Sequence, residues 1–104
     1  MQRIAFKMHL NPGNAEEYKR RHNAIWPALV TLLKQSGIHE YSIFLDDNSH
    51  TLFGVLKAEN PLSLDRLREQ PVMKEWWAYM KDIMETNPDQ SPVSIPLEEV
   101  FYLH

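Results

Sequence analysis

Tyr18-Lys19-Arg20-Arg21-His22-Asn23-Ala24-Ile25-Trp26-Pro27 is the stretch around which the chain is arranged. Read as a helix, it sets Tyr18 and His22 one turn apart on a single face, and Ile25, Leu29, Leu32 and Leu33 carry that face onward. Lys19, Arg20, Asn23, Thr31, Lys34 and Gln35 turn elsewhere. The stripe that should face the core is therefore titratable at one end and apolar at the other. Pro27 lies inside the helical pattern, where it removes a backbone donor and clashes one turn back, so a kink or restart is expected between Asn23 and Trp26. The plain reading of His22 is a core histidine satisfied by a backbone carbonyl. Tyr18 beside it and Trp26 one turn on keep a chemical role open.

Working outward, Arg3 to Leu10 alternates, with Ile4, Phe6, Met8 and Leu10 on one side, which predicts a half-buried strand. Asn11-Pro12-Gly13 ends it, and Asn14 with Glu17 resembles a capping box that starts the helix. The helix should run to about Ser36, with Gly37 as its C′ residue. Glu40 to Leu45 and Thr51 to Lys57 read as a hairpin around the Asp46–Ser49 turn cluster. Gly54, in mid-strand, suggests a bulge or a close approach by another group. Asn60-Pro61 opens a short helix through Arg68, and Pro71 opens another that ends near Met84. The face of that helix carries Val72, Trp76, Tyr79, Met80 and Ile83, with Trp77 at its edge and Lys74, Lys81 and Asp82 toward water. Thr86 to Pro96 reads as a long loop and Glu98 to Leu103 as a last strand.

Strand, helix, hairpin, helices, strand is the split βαβ order of an α+β, ferredoxin-like fold: one four-stranded antiparallel sheet with helices on one face. Apolar residues on the other face of the strands call for association, and two sheets packed face to face would form a homodimer of the dimeric α+β-barrel type.

The 104 residues fit a single domain, 1–104, and the net charge of −3 comes from interleaved acids and bases. There is no basic block, which argues against nucleic acid as partner. No apolar run is long enough to span a bilayer, and no signal peptide precedes the first strand. With no cysteine, a reducing, cytoplasmic setting is the default expectation.

No cysteine nucleophile, G-x-S-x-G, P-loop or G-x-G-x-x-G motif is present. His9, His22, His39, His50 and His104 show no metal-pair spacing. A metal site or Ser-His-Asp triad assembled from distant residues stays open without any local sign of it. What remains is an aromatic set around one histidine: Trp26, Trp76, Trp77, Tyr18, Tyr41 and Tyr79. Adjacent Trp76 and Trp77 diverge too widely on a helix to share one core, so one of them should line a cleft or interface. Aromatic faces beside hydroxyl donors suit a sugar, with its apolar C–H patches and hydroxyl rim. An imidazole titrating near neutrality can take one proton and deliver another.

YKRRHNAIWPAL, WWAYMKDI, NPDQSPVS and LEEVFYL together resemble the L-rhamnose mutarotase family, from Phe6 to Leu103 in the same order and almost without gaps. The resemblance implies a homodimeric ferredoxin-like fold that interconverts the α and β anomers of L-rhamnose without a cofactor. It implies His22 as proton donor and Tyr18, Tyr41, Trp76 and Trp77 as sugar-binding residues, with no metal. Two other readings stay beside it. One is another small cofactor-free enzyme of the dimeric α+β-barrel type acting on an apolar aromatic substrate. The other is a sugar-binding module in which His22 only hydrogen-bonds.

Overall fold

A computed structural model describes residues Met1–His104. The elements run β1 (Gln2–His9), α1 (Ala15–Asn23), α2 (Pro27–Gln35), β2 (Ile38–Asp46), β3 (Thr51–Ala58), α3 (Ser63–Leu67), α4 (Pro71–Met80) and β4 (Ile95–Pro96). They form one antiparallel sheet in the order β2-β3-β1-β4, the ferredoxin-like arrangement.

Register explains which residues face the helices. Phe6 and Ile43 both oppose Gly54, and Met8 and Leu45 both oppose Leu52, so the alternation read from each strand falls on one common face. Against that face pack Leu29 of α2, Trp76 and Met80 of α4, and Ile83 beyond it. A second cluster of Ile38, Leu56, Ala58 and Leu67 lies toward α3. Full burial contributes about 1.5–3 kcal/mol for each large aliphatic side chain, before entropy is counted.

The helix does restart at Pro27. Trp26 is extended, at φ −64° and ψ 130°, and Pro27 opens α2, where its missing donor costs nothing. Gly37 takes φ +80°, as a C′ residue should. Gly54 is explained by close approach, because the Phe6 ring fills the space in front of it.

Three expectations need correction. Asn14 precedes α1 but its side chain does not cap it. Its amide instead donates to the carbonyls of Asn11 and Pro12, and the Glu17 carboxylate is held by Arg20 and Arg21. The helix opened by Pro71 ends at Met80, and Ile83 is buried from the turn that follows. The last strand is not Glu98–Leu103 but Ile95–Pro96, inside the stretch read as a loop. Pro96 pairs with Phe6 in antiparallel register and the Leu97 N–H donates to the Ala5 carbonyl, where the pairing stops. In that register Phe101 to Leu103 run past Gln2, the first residue of β1, and Val100 to Leu103 are exposed. Salt-bridged Glu99 and Arg3 hold the tail beside the start of β1.

Candidate active site

The break after α1 leaves His22 on the last turn of a nine-residue helix, facing α4. Its Nδ1 lies 3.0 Å from the Tyr18 carbonyl oxygen, one turn back. A carbonyl only accepts, so Nδ1 carries the hydrogen and donates it, and the neutral ring keeps its lone pair on Nε2. The two side chains also stack, with ring centroids 4.3 Å apart and planes 27° apart. Trp76 closes on the imidazole edge-to-face at 5.4 Å. The histidine is thus both satisfied by a backbone carbonyl and left with one nitrogen uncommitted.

These residues line a cleft of about 700 Å³ between the helices and the sheet. Tyr18, His22, Tyr41, Trp76 and Trp77, from α1, β2 and α4, all border it. Most of the remaining lining is apolar, with Phe6, Ile43 and Met73 among it, and Lys19 and Asn23 add polar groups beside His22. Trp76 and Trp77 reach the cleft differently. Trp76 is only 6% exposed and belongs to the core, whereas Trp77 is half-buried with the Arg68 guanidinium 5.6 Å from its ring centre. Trp26 is not on the cleft; it packs edge-to-face on Trp76 at 5.1 Å and stacks on Tyr79 at 5.6 Å, buttressing the platform from behind.

The enclosure sets the protonation states. Desolvation pulls the His22 pKa below the ordinary histidine value, only partly opposed by the hydrogen bond to the Tyr18 carbonyl. Burial raises the Tyr18 phenol, and a charge on Tyr41 would raise it further. Desolvation also pushes the Tyr41 phenol up to about 12. Tyr41 as a residue keeps 38% exposure; it is the desolvated phenol that sets the shift. At neutral pH the cleft therefore presents a neutral imidazole acceptor, and the Tyr18 and Tyr41 phenols on its lining are hydrogen-bond donors. No group of three or more His, Cys, Asp or Glu side chains is placed to hold a metal ion.

No local pattern in the sequence singles out Arg21, which is 8% exposed. Its guanidinium binds Asp82 in two parallel bonds of 2.8 and 3.1 Å, and it donates to Glu17 at 2.7 Å and to the Tyr79 carbonyl at 2.8 Å. The Glu17–Arg21 spacing is visible in sequence, but the contact with Asp82, 61 residues away, is not. Asp82, expected to face water, keeps 61% of its side chain exposed while turning its oxygens to Arg21.

A family model described as L-rhamnose mutarotase matches residues 3–103. An L-rhamnose mutarotase of Sinorhizobium fredii is 59% identical over 104 residues, 99% of each chain. One from Mesorhizobium japonicum is 53% identical over 98% of this chain and 97% of its own. The crystal structure of an L-rhamnose mutarotase from Formosa agariphila superposes with a TM-score of 0.92 at 50% identity, covering all of both chains. A chain described as an antibiotic biosynthesis monooxygenase matches with a TM-score of 0.53 at 10% identity, covering 96% of this chain and 99% of that one, and shares the fold alone.

Proposed function

The chain belongs to the L-rhamnose mutarotase family, and from that premise we propose that it exchanges the anomers of L-rhamnose by moving one proton between two oxygens through Nε2 of His22. The observation that carries this reading is the commitment of Nδ1 to the Tyr18 carbonyl in a ring that lines the cleft.

The chemistry needs little more. Neutral Nε2 takes the proton from the anomeric hydroxyl, O1. The C1–O5 bond breaks as the C1=O1 carbonyl forms, and the electron pair goes to O5. The imidazolium then gives its proton to O5, which completes the open aldehyde. Both oxygens are bonded to C1, so a single nitrogen reaches either with small movements, directly or through a water. The donation expected of His22 is thus the second half of its cycle. The phenols of Tyr18 and Tyr41, held protonated by burial, donate hydrogen bonds to whichever oxygen carries the developing charge. Rotation about C1–C2 presents the other carbonyl face, and the same steps in reverse reclose the ring as the other anomer. Positioned proton transfer typically supplies ~10²–10⁴-fold, which is enough for a reaction that proceeds unaided in water.

Trp76 and Trp77 offer the apolar faces of the sugar a surface, and the aliphatic lining suits the C6 methyl of a deoxysugar. The test is magnetisation-exchange NMR on L-rhamnose. Exchange between α and β signals should accelerate in proportion to protein; bound sugar with exchange at the solvent rate would favour a binding module.

A homodimer fits the same reading. The sheet face away from the helices pairs Phe44 with Phe53 and Ala5 with Val55, and Phe44 is 62% exposed. Val100, Phe101 and Leu103 add apolar surface in the tail. A second copy would cover both. A light-scattering mass of one chain at micromolar concentration would count against it. The cysteine-free composition supports the cytoplasmic setting, and no helix is long and apolar enough to cross a membrane.

A further inference from the structure

We propose that Arg21 is a positioning residue for the anomer exchange: its clasp on Asp82 and the Tyr79 carbonyl fixes the last turn of α1 against α4, and so sets the aim of His22. The proposal rests on the reading above and adds a residue to it.

Apart from backbone bonds from Ala24 and Ile25 and the stack of His22 on Tyr18, little else holds that turn. α1 is nine residues long, has no side-chain N-cap, and ends at a break two residues before the extended Trp26. A helix this short is marginal by itself, and its last turn is where fraying starts. Yet His22 sits in that last turn, while the Trp76 ring against which it is aligned belongs to α4. Arg21 is the residue immediately before it, and its side chain spans the gap between the helices.

The geometry is restrictive. Nη1 donates at 2.8 Å both to the Tyr79 carbonyl and to Asp82 Oδ1, Nη2 reaches Asp82 Oδ2 at 3.1 Å, and Nε reaches Glu17 Oε2 at 2.7 Å. The Tyr79 carbonyl belongs to the C-terminal turn of α4, where carbonyls lack helical partners, so Arg21 satisfies one of them. The guanidinium also lies 4.5 Å from the centre of the Tyr79 ring. The planar fork is oriented by Glu17 of its own helix and bonded across the gap to the Tyr79 carbonyl and both Asp82 oxygens, just past the end of α4. It fixes both the distance and the rotation of α1 relative to that end of α4, which a lysine or an apolar side chain cannot do. Stability alone does not call for it: Asp82 keeps 61% of its side chain exposed, so the ion pair itself adds little, and an apolar residue of similar volume commonly serves a buried position such as that of Arg21 as well. Register is the better-attested use of such a pair.

The experiment compares the full-length parent with Arg21→Met, Arg21→Lys and Asp82→Asn. It reads kcat and KM for anomer exchange, thermal stability, and the long-range ¹⁵N–¹H spectrum of the His22 imidazole. The parent ring should show a single Nδ1–H tautomer. In Arg21→Met, kcat should fall about 10²-fold, the loss expected from a small misplacement of a reacting group, while KM stays within about threefold because the sugar surface is intact. The His22 spectrum should then average between tautomers. Arg21→Lys and Asp82→Asn should fall between, at roughly tenfold. A folded Arg21→Met with parental kcat and an unchanged His22 spectrum would overturn the proposal and leave Arg21 a stabilising residue only. Should Arg21→Met fail to fold, the two milder variants decide by the same criteria. If the parent does not exchange L-rhamnose anomers, the functional reading fails, and the His22 spectrum alone still decides whether Arg21 aims the ring.

Discussion

The Phe6 ring occupies the space that a side chain on Gly54 would need: a Cβ there would lie 2.6 Å from Phe6 Cε2. The two residues are cross-strand partners in β1 and β3, and Phe6 in turn meets Tyr41 edge-to-face at 6.2 Å. A missing side chain in one strand therefore supports a cleft-lining ring in another.

Gly54→Ala should accordingly disturb both stability and the cleft. Alanine removes the entropic cost of a strand glycine, but forcing the Phe6 ring aside is an overpacking penalty of about 1–3 kcal/mol, which wins. The melting temperature should drop by about 5 °C or more, and KM for L-rhamnose should rise as Tyr41 loses its support. Adding Phe6→Leu should restore part of the stability, since the two changes share one space. A Gly54→Ala protein melting at or above the parent, with KM unchanged, would contradict this.

The two tryptophans should separate. Trp77→Ala removes a half-buried cleft wall, so L-rhamnose affinity should weaken by up to about tenfold with little change in melting temperature. Trp76→Ala also opens the core, at a cost of about 3–5 kcal/mol, and should lower both. Calorimetric melts beside sugar titrations decide between them. If both variants melt early and bind sugar normally per folded molecule, the tryptophans are core residues only.

What was legible in the sequence is what short-range physics controls. Alternation in Arg3–Leu10 placed β1, and proline geometry located the break before Pro27. Helical periodicity put Tyr18 and His22 on one face, and the structure carries that face into a cleft shared with Tyr41, Trp76 and Trp77. What was not legible depends on partners distant in sequence. Ile95–Pro96 is too short to show alternation and becomes a strand only because β1 offers a free edge. The contact of Arg21 with Asp82 emerges only when the α4 terminus is in place, whereas Asn14 turns to the nearby Asn11 and Pro12 carbonyls, a local choice the capping pattern does not reveal.

The pH dependence follows from the sign of the His22 shift. Desolvation favours the neutral ring, so the base form persists to lower pH than for a solvated histidine. The protein-dependent exchange rate should be flat near neutrality. It should fall on the acid side, as Nε2 is protonated, with a midpoint below about 6.5. Tyr41, at about 12, gives no basic limb in the usual range. Rates corrected for the uncatalysed reaction across that range test this, and a rate rising toward acid would show that imidazolium, not imidazole, is the resting form.

The most direct test of the account is the anomer-exchange rate of folded, rhamnose-binding His22→Ala, measured by magnetisation-exchange NMR beside His22→Gln and Tyr18→Phe. The account predicts that both His22 variants fall toward the solvent rate with binding kept. Tyr18→Phe, which retains the backbone carbonyl that fixes Nδ1, should lose only part of the rate. Near-parental exchange by His22→Ala would contradict it.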